Sequence, residues 1–133
     1  MLKCIIIEDQ RPALQILKKY INDTPELSLV KAFTDALEAK EFLVDNTIDL
    51  MFLDINLPQL SGLSFLKMVK SHPLTILTTA YSDYALESYE YNVVDYLLKP
   101  FSFDRFKQAI NKASIFTQAQ NKEKETNQGE IYI

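Results

Sequence analysis

The chain has 133 residues, 47% apolar and 24% charged, the balance of one globular domain that can bury a core without staples or metals. Two glycines, one cysteine and one histidine exclude a glycine-rich phosphate loop, an internal disulfide, a multi-cysteine metal site and a His/His metal pair. A net charge of -4 argues against nucleic acid or an anionic membrane as a direct partner, and the apolar run in MLKCIIIED is too short for a signal peptide or a membrane span, so a cytoplasmic domain is expected.

In chain order, Leu2 to Ile7 (LKCIII) predicts the first strand, with Cys4 as a small core residue that has no electropositive neighbour to activate it. Pro12 then stands near the start of a first helix, with Leu14, Leu17, Lys18 and Ile21 at helical spacing and Pro25 beyond its end. Leu27 to Phe33 (LSLVKAF) predicts the second strand. Asp35 caps a second helix that places Leu37, Phe42 and Leu43 on its buried side. Asp49 to Leu53 (DLMFL) predicts the third strand, closed by Asp54. Ser61 caps a third helix with Leu63, Leu66 and Val69 inward, and His72 before Pro73 is expected in an exposed loop.

Leu74 to Thr79 (LTILTT) predicts the fourth strand, and a short fourth helix opens at Ser82 or Asp83 with Ala85, Leu86 and Tyr89. Tyr81, Tyr84, Tyr89 and Tyr91 exceed what one short helix can bury, so some suit a partner surface. Val93 to Leu98 (VVDYLL) predicts the fifth strand. A fifth helix runs from Ser102 to about Thr117, with Phe103, Phe106, Ile110 and Phe116 as its apolar stripe. Continuous apolar runs suit strands covered on both faces, and the alternation predicts an α/β doubly wound, five-stranded parallel sheet with helices on both faces. From Gln118 the composition turns polar, which reads as a linker or a frayed helical extension, before a strand-like Ile131-Tyr132-Ile133. The expected division is a domain over 1–118, then 119–133 as a polar linker and the start of a further, truncated domain.

In open parallel sheets ligands sit outside the carboxyl ends of the strands. There this chain places Glu8-Asp9 after the first strand, Asp54 after the third, Thr78-Thr79 at the fourth and Lys99-Pro100 after the fifth. One strand-end carboxylate is ordinarily a solvated cap; three meeting a lysine are not. Clustered carboxylates repel one another, which raises some of their pKa values unless a cation is near. Hard oxygen ligands suit Mg²⁺, with Asp9 and Asp54 as direct ligands and Glu8 acting through water. Lys99 adds a second positive charge, and the arrangement wants an anion, for which a phosphoryl group is the obvious candidate. Asp54, central in the group, is the best nucleophile for an acyl phosphate, with Thr79 donating to a phosphoryl oxygen.

Glu8-Asp9, Asp54 after LMFL, the LP..SG run from Leu57 to Gly62, Thr79-Ala80 and Lys99-Pro100 together resemble the receiver domain of bacterial two-component response regulators. The resemblance covers about residues 1 to 118, and TAYSDYALESYEYNVVDYLLKPFSFDRF is most similar to receivers that precede a LytTR-type DNA-binding domain. It implies the flavodoxin-like receiver fold with strand order 2-1-3-4-5. It also implies that Asp54 takes phosphate from a phosphohistidine on a sensor histidine kinase, and that Asp9, Asp54 and the backbone carbonyl of Asn56 bind Mg²⁺ with Glu8 assisting. Thr79 and Lys99 become the phosphate sensors, and Tyr96 stands where the family has a rotating aromatic, filling space that Thr79 vacates. Ala80 is small enough for donor and water to approach, and Lys99-Pro100 is expected to hold a cis peptide. A homodimer through the fourth helix, fifth strand and fifth helix is implied, with DNA bound only through an output domain absent from this chain.

The expected role is a signalling switch that assists its own phosphorylation and dephosphorylation, not a turnover enzyme. Two rivals stand beside it. A Mg²⁺-dependent phosphatase with an Asp nucleophile needs an acid/base carboxylate two residues on, where this chain has Asn56. A receiver-like interaction domain that is never phosphorylated has no need of the intact acidic set and lysine.

Overall fold

In a computed structural model, residues 1–58, 60–69, 71–81 and 93–131 are described, with side chains as far as residue 120. The elements are β1 (Leu2–Ile7), α1 (Arg11–Asn22), β2 (Leu27–Phe33), α2 (Ala36–Asp45), β3 (Leu50–Asp54), α3 (Gly62–Met68), β4 (Leu74–Thr79), β5 (Val93–Leu98) and α4 (Phe103–Ile131). All strand pairings are parallel and the order is β2-β1-β3-β4-β5, the doubly wound arrangement expected. The predicted helix from Ser82 or Asp83, with Ala85, Leu86 and Tyr89, lies outside the described residues, as do Tyr84 and Tyr91.

Strand alternation divides the core into two. Cys4, Ile6, Leu50, Phe52, Ile76 and Leu97 face α1 and α4, where Leu17, Ile21, Phe106, Ala109, Ile110 and Ala113 meet them. Ile5, Ile7, Met51, Leu53 and Leu77 face α2 and α3, against Ala36, Ala39, Phe65 and Leu66. Phe52, Phe65 and Phe106 are wholly buried, and each such ring stabilises the fold by about 1.5–3 kcal/mol relative to an exposed one. Covering both faces is what lets β1 and β3 be apolar without alternation. Among the described residues no helix is long and apolar enough to cross a membrane.

Caps behave as read. Asp35 accepts a hydrogen bond from the Leu37 N–H at 2.9 Å, and Ser61 accepts one from the Ser64 N–H at 3.1 Å. Helix phase departs from the reading at two places, Leu37 and Phe116. Leu37 is 48% exposed, because Ala36 and Ala39 occupy the inward positions of α2 and Leu37 lies about 100° round from Ala36. In α3, Leu63, Leu66 and Val69 pack against the core as read, and Phe65 joins them fully buried. Phe116 is 42% exposed, since the buried face of α4 runs through Phe106, Ile110 and Ala113, and Phe116 falls off that line.

The polar stretch after Gln118 takes the helical option: α4 continues to Ile131, so Ile131 ends a helix and opens no strand, while Tyr132 and Ile133 lie outside the described residues. Apolar residues run out there, but Gln, Lys and Glu are good helix formers without a packing face. His72 is half-buried, not exposed, with Nδ1 2.7 Å from the Pro73 carbonyl and 3.2 Å from Thr75 Oγ1. Cys4 is buried as expected, and burial, then the Asp49 charge, push its thiol up to about 12, so it stays protonated and inert.

Candidate functional site

The carboxyl ends of β1, β3, β4 and β5 bring the expected residues to one sheet edge. Carboxylate oxygens of Glu8, Asp9 and Asp54 all lie within 4.8 Å of one another. Glu8 and Asp54 are buried, with Asp9 exposed at the rim. Lys99 reaches across from the end of β5, placing its ammonium 2.7 Å from Glu8 Oε1 and 3.4 Å from Asp54 Oδ2. The contact to Glu8 is the shorter of the two, so Lys99 is the cationic partner of Oε1. Three carboxylates thus face one ammonium.

That imbalance registers on Glu8. Burial first, then the hydrogen bond it shares with Asp54 and the Asp54 charge, push its carboxyl up to about 7, while Lys99 pulls the other way. Repulsion was the expected cause; desolvation leads it. A carboxyl held near neutrality beside a second carboxylate, with one ammonium shared between them, is short of positive charge. The hard-oxygen donors and this deficit fit a divalent cation such as Mg²⁺.

The backbone around Asp54 is tightly held. Oδ1 accepts a hydrogen bond from the Asn56 N–H at 3.0 Å, which anchors the turn that carries the Asn56 carbonyl to the carboxylate itself. The Ile55 N–H donates to the Thr78 carbonyl at 3.0 Å, and the Gly62 N–H donates to the Ile55 carbonyl at 2.7 Å. A Cβ on Gly62 would stand 2.7 Å from the Asp54 carbonyl oxygen and 2.9 Å from Ile55 Cα, so only glycine fits here. The LP..SG run therefore serves to seat the start of α3 against the Asp54 backbone.

On the β4 side, the Thr79 side chain is buried and engaged by the Tyr81 backbone. Its hydroxyl accepts from the Tyr81 N–H at 3.0 Å and donates to the Tyr81 carbonyl at 3.2 Å. Ala80, next to it, is exposed and leaves the approach open. Tyr96 is half-buried on the same sheet face as Leu77, its register partner. The Lys99–Pro100 peptide bond is cis. Thr78, the register partner of Asp54, carries a buried hydroxyl with no hydrogen-bond partner among the described residues.

Two further features were missed in the sequence. The Tyr20 hydroxyl of α1 donates to the Phe101 carbonyl at 3.1 Å, and its ring packs on Phe101, Phe103 and Phe106, tying α1 to the segment that follows Lys99. Asp95, inside β5, forms a two-pronged ion pair with Arg105. A lone acid in the apolar run VVDYLL was the visible signal for the second.

The sequence matches the response regulator receiver domain family over residues 4–111. It is 33% identical to protein MrkE of Klebsiella pneumoniae over 123 residues, 90% of this chain and 46% of that protein. It is 35% identical over 115 residues to the sensory transduction protein LytT of Bacillus anthracis, covering 84% of this chain and 47% of that one. The crystal structure of the response regulatory domain of MrkE superposes with a TM-score of 0.77 at 34% identity, over 91% of this chain and 99% of that one. The response regulator TrrA of Thermotoga maritima, solved in complex with Mg(2+)-BeF, gives 0.73 at 27% identity, over 85% and 99%. The chain spans about half the length of the curated relatives it matches.

Proposed function

The chain belongs to the response regulator receiver domain family, and from that premise we propose that Asp54 is its phosphoacceptor, charged by a phosphohistidine on a sensor histidine kinase. The observation that carries this reading is the setting of Asp54: a buried carboxylate, oriented by the Asn56 N–H, with one ammonium beside it and two acids short of a cation. A carboxylate oxygen of Asp54 attacks phosphorus; the P–N bond to the donor imidazole breaks as the O–P bond forms, and the leaving imidazole takes up a proton. Asp9, Asp54 and the backbone carbonyl of Asn56 would hold Mg²⁺, with Glu8 through water, and when bound the ion neutralises phosphoryl oxygens. The Mg(2+)-BeF complex of TrrA supports this assignment.

Lys99 then exchanges its carboxylate partners for a phosphoryl oxygen. The Thr79 hydroxyl gives up the Tyr81 backbone and donates to another, and the Tyr96 ring takes the space Thr79 leaves. Water entering past Ala80 hydrolyses the acyl phosphate and restores Asp54, which makes the domain a self-resetting switch and not a turnover enzyme. The output is a LytTR-type DNA-binding domain controlling transcription, supported by the likeness to LytT. A homodimer would form through β5, α4 and the predicted helix before β5, the last lying outside the described residues.

Intact mass after incubation with acetyl phosphate and Mg²⁺ tests the reading. The wild type gains one phosphoryl group, Asp54→Asn gains none, and chelating the metal abolishes the gain. A wild type that takes no adduct, even with beryllofluoride as mimic, overturns it.

A further inference from the structure

Among the described residues the sheet ends at β5, whose outer side has no strand neighbour there. In a parallel strand successive residues turn their backbone groups to alternate sides. Lys99 gives its N–H to the Thr79 carbonyl of β4, so the peptide groups of the odd-numbered residues turn inward and those of Tyr96 turn out to the free edge. Neither outward group of Tyr96 is left to water. Its N–H donates to Asp95 Oδ1 at 2.8 Å, and its carbonyl accepts from Arg105 Nη2 at 3.0 Å. The same guanidinium donates to Asp95 Oδ2 through Nη1 at 2.8 Å and to Oδ1 through Nη2 at 2.9 Å. Lys112, further along α4, stands 3.4 Å from Asp95 Oδ2. Asp95 is 8% exposed, so the cluster is built into the edge and does not merely lie on it.

We propose that Asp95 and Arg105 are positioning residues that clamp the Tyr96 peptide, so that its ring changes place against a backbone that does not. This rests on the reading of Tyr96 as the moving ring. An ion pair meant only to join β5 to α4 could bridge them at many points. This one directs two of its hydrogen bonds to the peptide of the residue on which the switch turns. Edge backbone is otherwise free to flex or to pair with another strand, and either would blur a two-position ring. The task also selects arginine: a planar fork can serve a carboxylate and a carbonyl together, whereas an ammonium keeps the charge and loses the fork.

The test compares wild type with Arg105→Lys and Asp95→Asn, following the Tyr96 amide and ring by NMR with and without Mg²⁺ and beryllofluoride. Tyr96 amide exchange should rise about tenfold in Arg105→Lys, because the fork that holds Asp95 Oδ1 against the Tyr96 N–H is lost together with its bond to the Tyr96 carbonyl, while the inward-facing Leu97 amide keeps its rate. The Tyr96 ring shift on adding beryllofluoride should fall by about half or more, although melting temperature changes little, because lysine preserves the ion pair. If Asp95→Asn does not fold, Arg105→Lys carries the test alone. Equal exchange and equal ring response in wild type and Arg105→Lys overturn the clamp and leave the switch reading standing. A ring that ignores beryllofluoride in the wild type overturns the switch reading, and the clamp with it.

Discussion

Asp54 and Asp95 are buried to nearly the same degree, 3% and 8% exposed, yet their surroundings are opposite in charge. Around Asp54, three carboxylates share one lysine, and Glu8 is pushed up to about 7. Around Asp95, one carboxylate is met by Arg105, the Tyr96 N–H and Lys112. Burial alone would push its carboxyl up, but the Arg105 hydrogen bonds, the Tyr96 N–H and the two cationic charges outweigh it and hold it below the ordinary value. Burial does not therefore distinguish a reactive carboxylate from a structural one. The local charge balance does: an acid-rich site is left waiting for positive charge or for a group to bind, and a balanced one is finished.

The contrast breaks most visibly at Lys99. Lys99→Met removes the ammonium 3.4 Å from Asp54 Oδ2 and should slow phosphoryl uptake from acetyl phosphate about 10²–10³-fold, read by intact mass over time. Removing the cation from the other site should cost folding instead. Arg105→Met should destabilise by about 1–3 kcal/mol, less than a fully buried pair because Arg105 is partly exposed and Lys112 remains, with phosphoryl uptake retained. Since the folded Asp95 pKa is lowered, that contribution is present above the ordinary 3.8 and is lost as pH falls through the folded value. Urea unfolding should accordingly show the gap between wild type and Arg105→Met at pH 7 and not in acid.

Glu8 gives the opposite pH sign and a smaller effect. Its folded pKa is raised from 4.5 to about 7, so its contribution is complete below 4.5 and is lost as pH rises through 7. In chelator, wild type should weaken by roughly 1–2 kcal/mol between about pH 5 and pH 8, and Glu8→Gln should not. Adding Mg²⁺ should reverse most of the alkaline loss in wild type, because the ionised carboxylate then has a partner. A pH profile indifferent to Mg²⁺ would remove the case for a cation at this edge.

Most of this architecture was legible in the sequence for a simple reason. Strands covered on both faces must be apolar throughout, and LKCIII, LTILTT and VVDYLL are short, dense and bounded by polar residues, so their limits read off directly. The site was legible because sheet topology gathers strand ends, and each strand but the second ended in a residue with chemistry. Helix phase was less legible: where small residues such as Ala36, Ala39 and Ala113 face the sheet, larger neighbours such as Leu37 and Phe116 draw the eye to the wrong face. The Asp95–Arg105 pair was only half legible: the lone acid in VVDYLL marks one member, but ten residues and a change of element separate it from the other. The extension of α4 rests on propensity alone, which composition can suggest and periodicity cannot.

Gly62 seats α3 directly on the Asp54 backbone. With the start of α3 pressed onto the carbonyl of Asp54 and onto Ile55, the acceptor stands against an anvil: there is no slack on that side for even a methyl group. In the proposed switch, the displacement that follows phosphorylation is therefore taken up across the sheet, toward β4 and β5, where the Thr79 hydroxyl exchanges its two bonds to the Tyr81 backbone. A single hydrogen atom in place of a side chain thereby gives that switch a mechanical direction, rigid behind Asp54.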